Sequence, residues 1–313
     1  MLRYSAQSKW ITANRREKSE METSKVAFIG LGVMGYPMAG HLQQAGYQTS
    51  VYNRTSAKAQ QWAGQYGGQA FDTPKAAAHH CDVVFVCVGN DDDVRSVIYG
   101  EEGVLAGLKS GAVLVDHTTT SAELALELAQ ACHQQGNQFV DAPVSGGQAG
   151  AENGVLTVMC GGQPDAFQQA RPIMDAYAKQ VALMGENGQG QRCKMVNQIC
   201  IGGILQGLSE ALLLAQKANL DIEQVVDVLK HGAAGSWQME NRAVTMAQDK
   251  FDFGFAIDWM RKDLGFCLKE AQRYGLELPL TRKVDEQYAD LQQDGLGRMD
   301  TSVLFKAVAK QNS

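Results

Sequence analysis

KVAFIGLGVMGYPMAGHL, residues 25–42, decides the architecture. It opens with a β-rich run, KVAFI, passes through a glycine-containing turn, and continues from Met34 with a helical period. The turn itself is Gly30-Leu31-Gly32-Val33-Met34-Gly35, a G-x-G-x-x-G spacing. The three glycines serve different ends. The first permits the tight turn, the second lets backbone approach a pyrophosphate, and the third lets helix and strand pack closely. The helix that follows presents unpaired N–H groups and the positive end of its dipole to phosphate. The motif alone is weak, but a strand before it and a helix after it supply the context it needs. Gly30, Leu31, Gly32, Val33, Met34 and Gly35 are therefore candidate cofactor residues for a nicotinamide dinucleotide.

Outward from this turn, β-rich runs alternate with helical periods. Candidate strands are Lys25–Ile29, Gln48–Tyr52, Val83–Cys87, Ala112–Asp116, Gln138–Asp141, Leu156–Cys160 and Val181–Met184, with amphipathic stretches such as Ser121–Gln135 between them. This alternation predicts a mainly parallel, doubly wound sheet with helices on both faces, a Rossmann-like α/β domain over residues 25–186. The run VVFVC suits a central strand buried on both sides. After Glu186 strand signals stop. One long helical pattern covers 191–218, Asp221 can cap the next helix, and further periods fall at 236–249, 256–274, 280–293 and 301–310. Residues 187–313 are thus expected to form an all-helical domain, with the long helix at the domain junction. Gly202, Gly203 and Gly207 lie inside that helix, where each costs about 1 kcal/mol relative to alanine, so close packing there is expected.

Bulk properties exclude several function classes. The 313 residues carry a net charge of −6 with scattered basic side chains, which does not suit nucleic acid. No apolar run approaches the roughly 20 residues of a bilayer span. The seven cysteines (Cys81, Cys87, Cys132, Cys160, Cys193, Cys200 and Cys267) form no C-x-x-C pair and read as small buried hydrophobes in a reducing, cytoplasmic setting. His79-His80 invites a metal reading, but adjacent side chains are expected to diverge and no further ligands cluster with them, so no metal site is expected. Residues 1–24 have no clear apolar period. They read as a disordered extension with Met21 as a natural start, a transit peptide being the competing reading.

The end of the second strand reports on the kind of dinucleotide. An acidic residue there would accept the ribose hydroxyls of NAD and repel the additional phosphate of NADP. Here the residues are Asn53-Arg54-Thr55: the acid is absent, and a guanidinium and a hydroxyl stand where a 2′-phosphate would sit. The expected cofactor is NADP(H) rather than NAD(H), with Asn53, Arg54 and Thr55 as contacts.

Three more stretches carry chemistry. They are Asp141-Ala142-Pro143-Val144-Ser145-Gly146-Gly147, Gly188-Gln189-Gly190-Gln191-Arg192-Cys193-Lys194-Met195-Val196-Asn197-Gln198, and Lys262-Asp263-Leu264-Gly265. Together with the N-terminal turn, in this order, they resemble the β-hydroxyacid dehydrogenase family, which includes 3-hydroxyisobutyrate dehydrogenase, tartronate semialdehyde reductase, and the NADPH-dependent reductases of glyoxylate and of succinic semialdehyde. The resemblance runs from residue 25 to about 308.

It implies that Lys194 is the catalytic lysine, with Gln198 four residues on along the same helical face, where most of the family has asparagine. An ammonium at a carbonyl oxygen can supply the proton that accompanies hydride transfer, or stabilise the developing charge. It further implies a substrate-carboxylate site at Ser145, Gly146 and Gly147, where successive N–H groups and a hydroxyl can converge on an anion. Val88, Gly89 and Thr119 are implied to lie against the cofactor, Lys262 to reach it from the helical domain, and the chain to assemble as a homo-oligomer, dimer or tetramer.

His117, where the family is more apolar, receives no role. Trp237 and Met239 are candidates for a pocket wall or for core packing. The expected activity is hydride transfer between NADP(H) and a small carboxylate-bearing semialdehyde/3-hydroxyacid pair. The alternatives are an NAD-linked 3-hydroxyisobutyrate-type dehydrogenase and a non-catalytic dinucleotide-binding protein. A decarboxylating 6-phosphogluconate dehydrogenase is disfavoured by the absence of a histidine before Asn197, and an imine reductase by the presence of Lys194.

Overall fold

The computed structural model describes residues 24–312. The expected N-terminal extension, apart from Ser24, lies outside the described residues. The chain divides into two compact units, with the boundary between Lys194 and Met195.

The first unit is built on nine strands: β1 Lys25–Ile29, β2 Gln48–Tyr52, β3 Gln69–Ala70, β4 Val83–Val86, β5 Val113–Asp116, β6 Gln138–Asp141, β7 Val144–Ser145, β8 Leu156–Gly162 and β9 Ala178–Gly185. They lie in the order β3-β2-β1-β4-β5-β6-β8-β7, with β9 paired to β8. From β3 to β6 every pairing is parallel. β8 then runs antiparallel to β6 and β7, and parallel to β9. Eight helices connect these strands: α1 Gly35–Gln44, α2 Ser56–Tyr66, α3 Pro74–Ala78, α4 Asp91–Ile98, α5 Val104–Gly107, α6 Ala122–Gln134, α7 Gly147–Glu152 and α8 Pro164–Met174.

Local chemistry explains where the helices begin. Asn90 accepts the Asp93 N–H at the start of α4, and Ser121 accepts the Leu124 N–H at the start of α6. The central strands are apolar throughout because both faces are covered. Val26, Phe28, Val83 and Phe85 enter one core, while Ala27, Ile29, Val84 and Val86 enter the core on the other face. All eight are fully buried. Truncating Phe85 to alanine would cost about 3–5 kcal/mol, the usual range for a buried aromatic.

The second unit is helical. α9 (Gln189–Lys217) crosses the boundary between the units, followed by α10 Ile222–Leu229, α11 Trp237–Ala247, α12 Ile257–Arg273, α13 Pro279–Gln293, a 3-10 turn Thr301–Val303 and α14 Leu304–Lys310. Asp221 caps α10 by accepting the Gln224 N–H at 3.0 Å, as its position suggested. Leu205, Leu208 and Leu212 of α9 join Met246, Ile257, Met260, Leu264, Val284, Tyr288 and Leu304 in one core.

Several details depart from expectation. α9 is long and apolar enough to cross a membrane by length and composition alone, although its Gln and Ser residues interrupt the apolar run; 44% of its most apolar window is buried inside the protein. A Cβ added at Gly202 would lie 3.6 Å from Val284 and one at Gly203 3.4 Å from Leu280, so both face α13 at van der Waals distance. A Cβ added at Gly207 would meet nothing within 4 Å beyond its own stretch of helix, and close packing does not account for this glycine. Cys200 is exposed, unlike the buried Cys81, Cys132, Cys160 and Cys267. The His79 and His80 rings do not diverge: His80 has φ 61°, and this left-handed backbone brings the ring centroids to 3.7 Å. Among the described residues no group of three or more His, Cys, Asp or Glu side chains is placed to hold a metal ion.

Candidate active site

Parallel strands place their following loops along one edge, and the crevice between loops opens where the strand order reverses. In the first unit that reversal falls between β1 and β4. Gly30 follows β1 with φ +97°, and a Cβ added there would strike the Cys87 carbonyl. At Gly35 an added Cβ would strike the Gly30 carbonyl and stand 2.9 Å from the Phe28 ring, so the third glycine is what lets α1 pack onto β1. Gly32 has open space in the same direction, and both it and Val33 are exposed at the helix N-terminus. These residues form a cradle that fits a pyrophosphate, with clear access at Gly32 and a helix start behind it.

Leu31 and Asn53 act inside this turn. The Leu31 N–H donates to Asn53 Oδ1 at 2.9 Å, and Asn53 Nδ2 donates to the Thr55 carbonyl at 3.1 Å. The Asn53 amide therefore braces the glycine turn against the loop after β2. Arg54 projects outward, 88% exposed, with its guanidinium 3.5 Å from Asp93 at the start of α4. Thr55 precedes α2 without capping it through its side chain.

The loops after β4 and β5 are tied together. The Val88 N–H donates to Thr118 Oγ1 at 3.0 Å, and the Thr118 N–H donates to Asp116 Oδ1 at 2.9 Å. Gly89 and Thr119 remain partly accessible, whereas Thr118 and Thr120 are buried. Asp116 is buried at the end of β5, and desolvation pushes its carboxyl up to about 7 against the lowering effect of the Thr118 hydrogen bonds. Next to it, His117 lies in the sheet's core: Nδ1 is 2.6 Å from the Ala142 carbonyl, Nε2 is 2.7 Å from the Tyr177 hydroxyl, and the ring stacks on Phe85 at 5.5 Å. Burial lowers its pKa to about 4. His117 thus has a structural place that sequence reasoning missed, because Tyr177 lies 60 residues away.

Lys194 lies early in α9, and only 7% of it is exposed. The start of this helix is fixed by Asp141, the last residue of β6, which accepts the Gly188 N–H at 2.7 Å and the Gln191 N–H at 3.0 Å. Desolvation raises the Asp141 carboxyl to about 6, opposed by these N–H bonds. Gly190 is glycine because a Cβ would meet Met159 O at 2.5 Å, Asp141 O at 2.6 Å and Asp141 Oδ2 at 2.8 Å. Gln191 is also fully buried: its Oε1 accepts the Thr120 N–H at 3.0 Å and its Nε2 donates to the Thr118 carbonyl at 2.8 Å.

Ser145 is half-buried in β7, and exposed Gly146 and Gly147 follow with φ +132° and +61°. Two successive residues with positive φ require glycine at both.

In the second unit Gln198 is fully buried. Its Nε2 donates to Asp263 Oδ2 at 2.7 Å and approaches Met260 Sδ at 3.6 Å, and its Oε1 accepts from Asn197 at 2.7 Å. Lys262 Nζ pairs with Asp263 Oδ1 at 3.1 Å and lies 5.3 Å from the Phe266 ring centroid. Asp263 therefore joins Gln198 and Lys262. Met239 belongs to the helical core, while Trp237 is exposed with Arg242 over its ring at 4.9 Å.

A glycine cradle at the carboxyl edge of a doubly wound sheet, followed in sequence by an all-helical unit, is the arrangement of a dinucleotide-binding protein. Comparison with known proteins narrows this. Residues 25–185 match the model of the NAD binding domain of 6-phosphogluconate dehydrogenase, and residues 188–308 that of the NAD-binding region of NADP-dependent 3-hydroxyisobutyrate dehydrogenase. The chain is 56% identical to an uncharacterized oxidoreductase of Shewanella frigidimarina over 93% of this chain and 100% of that one. It is 34% identical to 2-hydroxy-3-oxopropionate reductase of Escherichia coli over 91% and 97% of the two chains. The crystal structure of 3-hydroxyisobutyrate dehydrogenase from Salmonella typhimurium superposes with a TM-score of 0.81 at 29% identity, covering 90% of this chain and 99% of that one. The chain belongs to the β-hydroxyacid dehydrogenase family and is an NAD(P)-dependent oxidoreductase acting on hydroxyacids.

Proposed function

We propose that the protein transfers hydride between NADP(H) and a small semialdehyde/3-hydroxyacid pair bearing a carboxylate, with Lys194 as general acid and base. The observation that carries this reading is the placement of Lys194: a buried lysine within the first two turns of a helix whose start is bonded to the end of β6 and the loop after β5, on the edge that holds the glycine cradle. In the reductive direction the Lys194 ammonium delivers its proton to the carbonyl oxygen as negative charge develops there; in the oxidative direction the neutral amine removes that proton. A bound nicotinamide supplies or accepts the hydride. Gly30, Leu31, Gly32, Val33, Met34 and Gly35 hold the pyrophosphate, and Val88, Gly89 and Thr119 line the nicotinamide end.

Ser145, Gly146 and Gly147 receive the substrate carboxylate, which the consecutive positive φ values at the two glycines support. Gln198 follows Lys194 one turn on along the helix and braces Asp263 and, through it, Lys262, assigned to the cofactor. The NADP preference rests on Asn53-Arg54-Thr55 and is supported by the match to an NADP-dependent family model. One observation favours the NAD-linked alternative: the Arg54 guanidinium already has Asp93 beside it. Exposed Leu214, Leu220 and Val228 are compatible with assembly into a homo-oligomer. Following absorbance of NADPH and NADH with glyoxylate and with succinic, tartronate and methylmalonate semialdehydes tests the reading. Turnover of at least one, faster with NADPH, is expected; consumption of neither cofactor with any of them would refute it.

A further inference from the structure

The start of α9 is held from two directions, and the two holds differ in kind. Asp141 accepts two of the N–H groups that a helix N-terminus leaves without partners, and its negative charge suits that end of the helix dipole. Gln191 reaches the other way. Its amide accepts the Thr120 N–H and donates to the Thr118 carbonyl, so it grips the residues on both sides of Thr119. Thr119 is the accessible member of that trio. Lys194 follows Gln191 by three residues, which on a helix puts the two side chains on one face, a turn apart.

We infer that Gln191, backed by Asp141, is a positioning residue that sets Lys194 against the Thr118–Thr120 loop and so against the reacting carbonyl. This rests on the reading of Lys194 as the proton donor. An amide is the side chain that can accept and donate at once in one plane, as this position requires. A glutamate would turn a second acceptor onto the Thr118 carbonyl. A leucine would leave a buried N–H and a buried C=O without partners. In either case the loop separates from the helix, and the proton donor shifts relative to the nicotinamide end of the site.

The test is kinetic. Gln191→Leu and Gln191→Glu are compared with wild type in single-turnover oxidation of NADPH by the best semialdehyde of the panel, with NADPH affinity read by fluorescence and folding by thermal midpoint. A displacement of about 1 Å in a catalytic group can cost about a hundredfold in rate, and a loss of that order in kcat is expected while NADPH affinity is retained. In a Lys194→Ala background the same substitutions should leave the residual rate unchanged, because Gln191 acts through the lysine. Asp141→Asn, which presents an N–H₂ or a weaker acceptor to the Gly188 and Gln191 N–H groups, should show the same split between kcat and affinity. The inference is overturned by full kcat in a folded Gln191→Leu protein. It is equally overturned by losses that add to those of Lys194→Ala, by parallel losses of affinity and rate, or by failure of all three variants to fold. Turnover retained in Lys194→Ala would instead defeat the reading beneath it, so the two failures are distinguishable.

Discussion

Two glycines on α9 should respond to alanine in opposite directions. At Gly190 a methyl group would sit 2.5–2.8 Å from the Met159 carbonyl, the Asp141 carbonyl and the Asp141 carboxylate. Two of these three are backbone atoms of β6 and β8, which cannot rotate away, so the helix start must move. Overpacking of this sort costs about 1–3 kcal/mol, and the helix-propensity gain of alanine, at most about 1 kcal/mol, offsets only part of it. At Gly207 no atom beyond its own stretch of helix lies within 4 Å of the added methyl, and the helix continues on both sides. Only the propensity term operates there, so Gly207→Ala should stabilise by about 1 kcal/mol. Thermal unfolding of both variants beside wild type measures this. A midpoint lowered in Gly190→Ala and raised in Gly207→Ala by about 2 °C is expected for a chain of this size. A Gly190→Ala midpoint as high as that of Gly207→Ala would refute the packing argument.

Other outcomes follow from the same geometry. Arg54→Ala should weaken NADPH by about ten- to a hundredfold, the range of charge-assisted hydrogen bonds, and leave NADH nearly unaffected; equal losses in titrations of both cofactors would remove Arg54 from phosphate recognition. Asp116 has its carboxyl raised from 3.8 to about 7, so the stability it contributes is present below about pH 4 and lost as pH rises through 7. Asp116→Asn should therefore flatten the decline in denaturant midpoint between about pH 4 and 7, and an unchanged slope would show that Asp116 does not cause it. His117 has the opposite sign. Its pKa falls from 6.5 to about 4, so stability is lost as pH drops through that interval, and a His117→Phe protein should lack this acid limb in the same measurement.

The parts of the fold visible in sequence were those with a strong local pattern. β1 and β4 announced themselves because each is apolar on both faces, and α9 because its period persists for many turns. β3 and β7 went unseen: Gln69–Ala70 and Val144–Ser145 are two-residue strands fixed by their partners, too short to carry a period. The antiparallel placement of β8 also left no local trace.

The candidate site divides the same way. The glycine cradle and Lys194 stand in motifs whose spacing has a mechanical reason. Asp141 and Gln191 also stand within motifs, but their partners are backbone groups 47–73 residues away, and no local pattern reports such contacts. His79-His80 misled for a related reason, since a left-handed backbone at His80 is not written in the residue type.

The most direct test of the central claim is single-turnover NADPH oxidation by Lys194→Ala, with NADPH binding followed in the same samples by fluorescence. Binding close to that of wild type with hydride transfer cut to a small residual rate is the predicted result. Hydride transfer at the wild-type rate with cofactor bound would contradict it, and would leave the glycine cradle without the proton donor assigned to it.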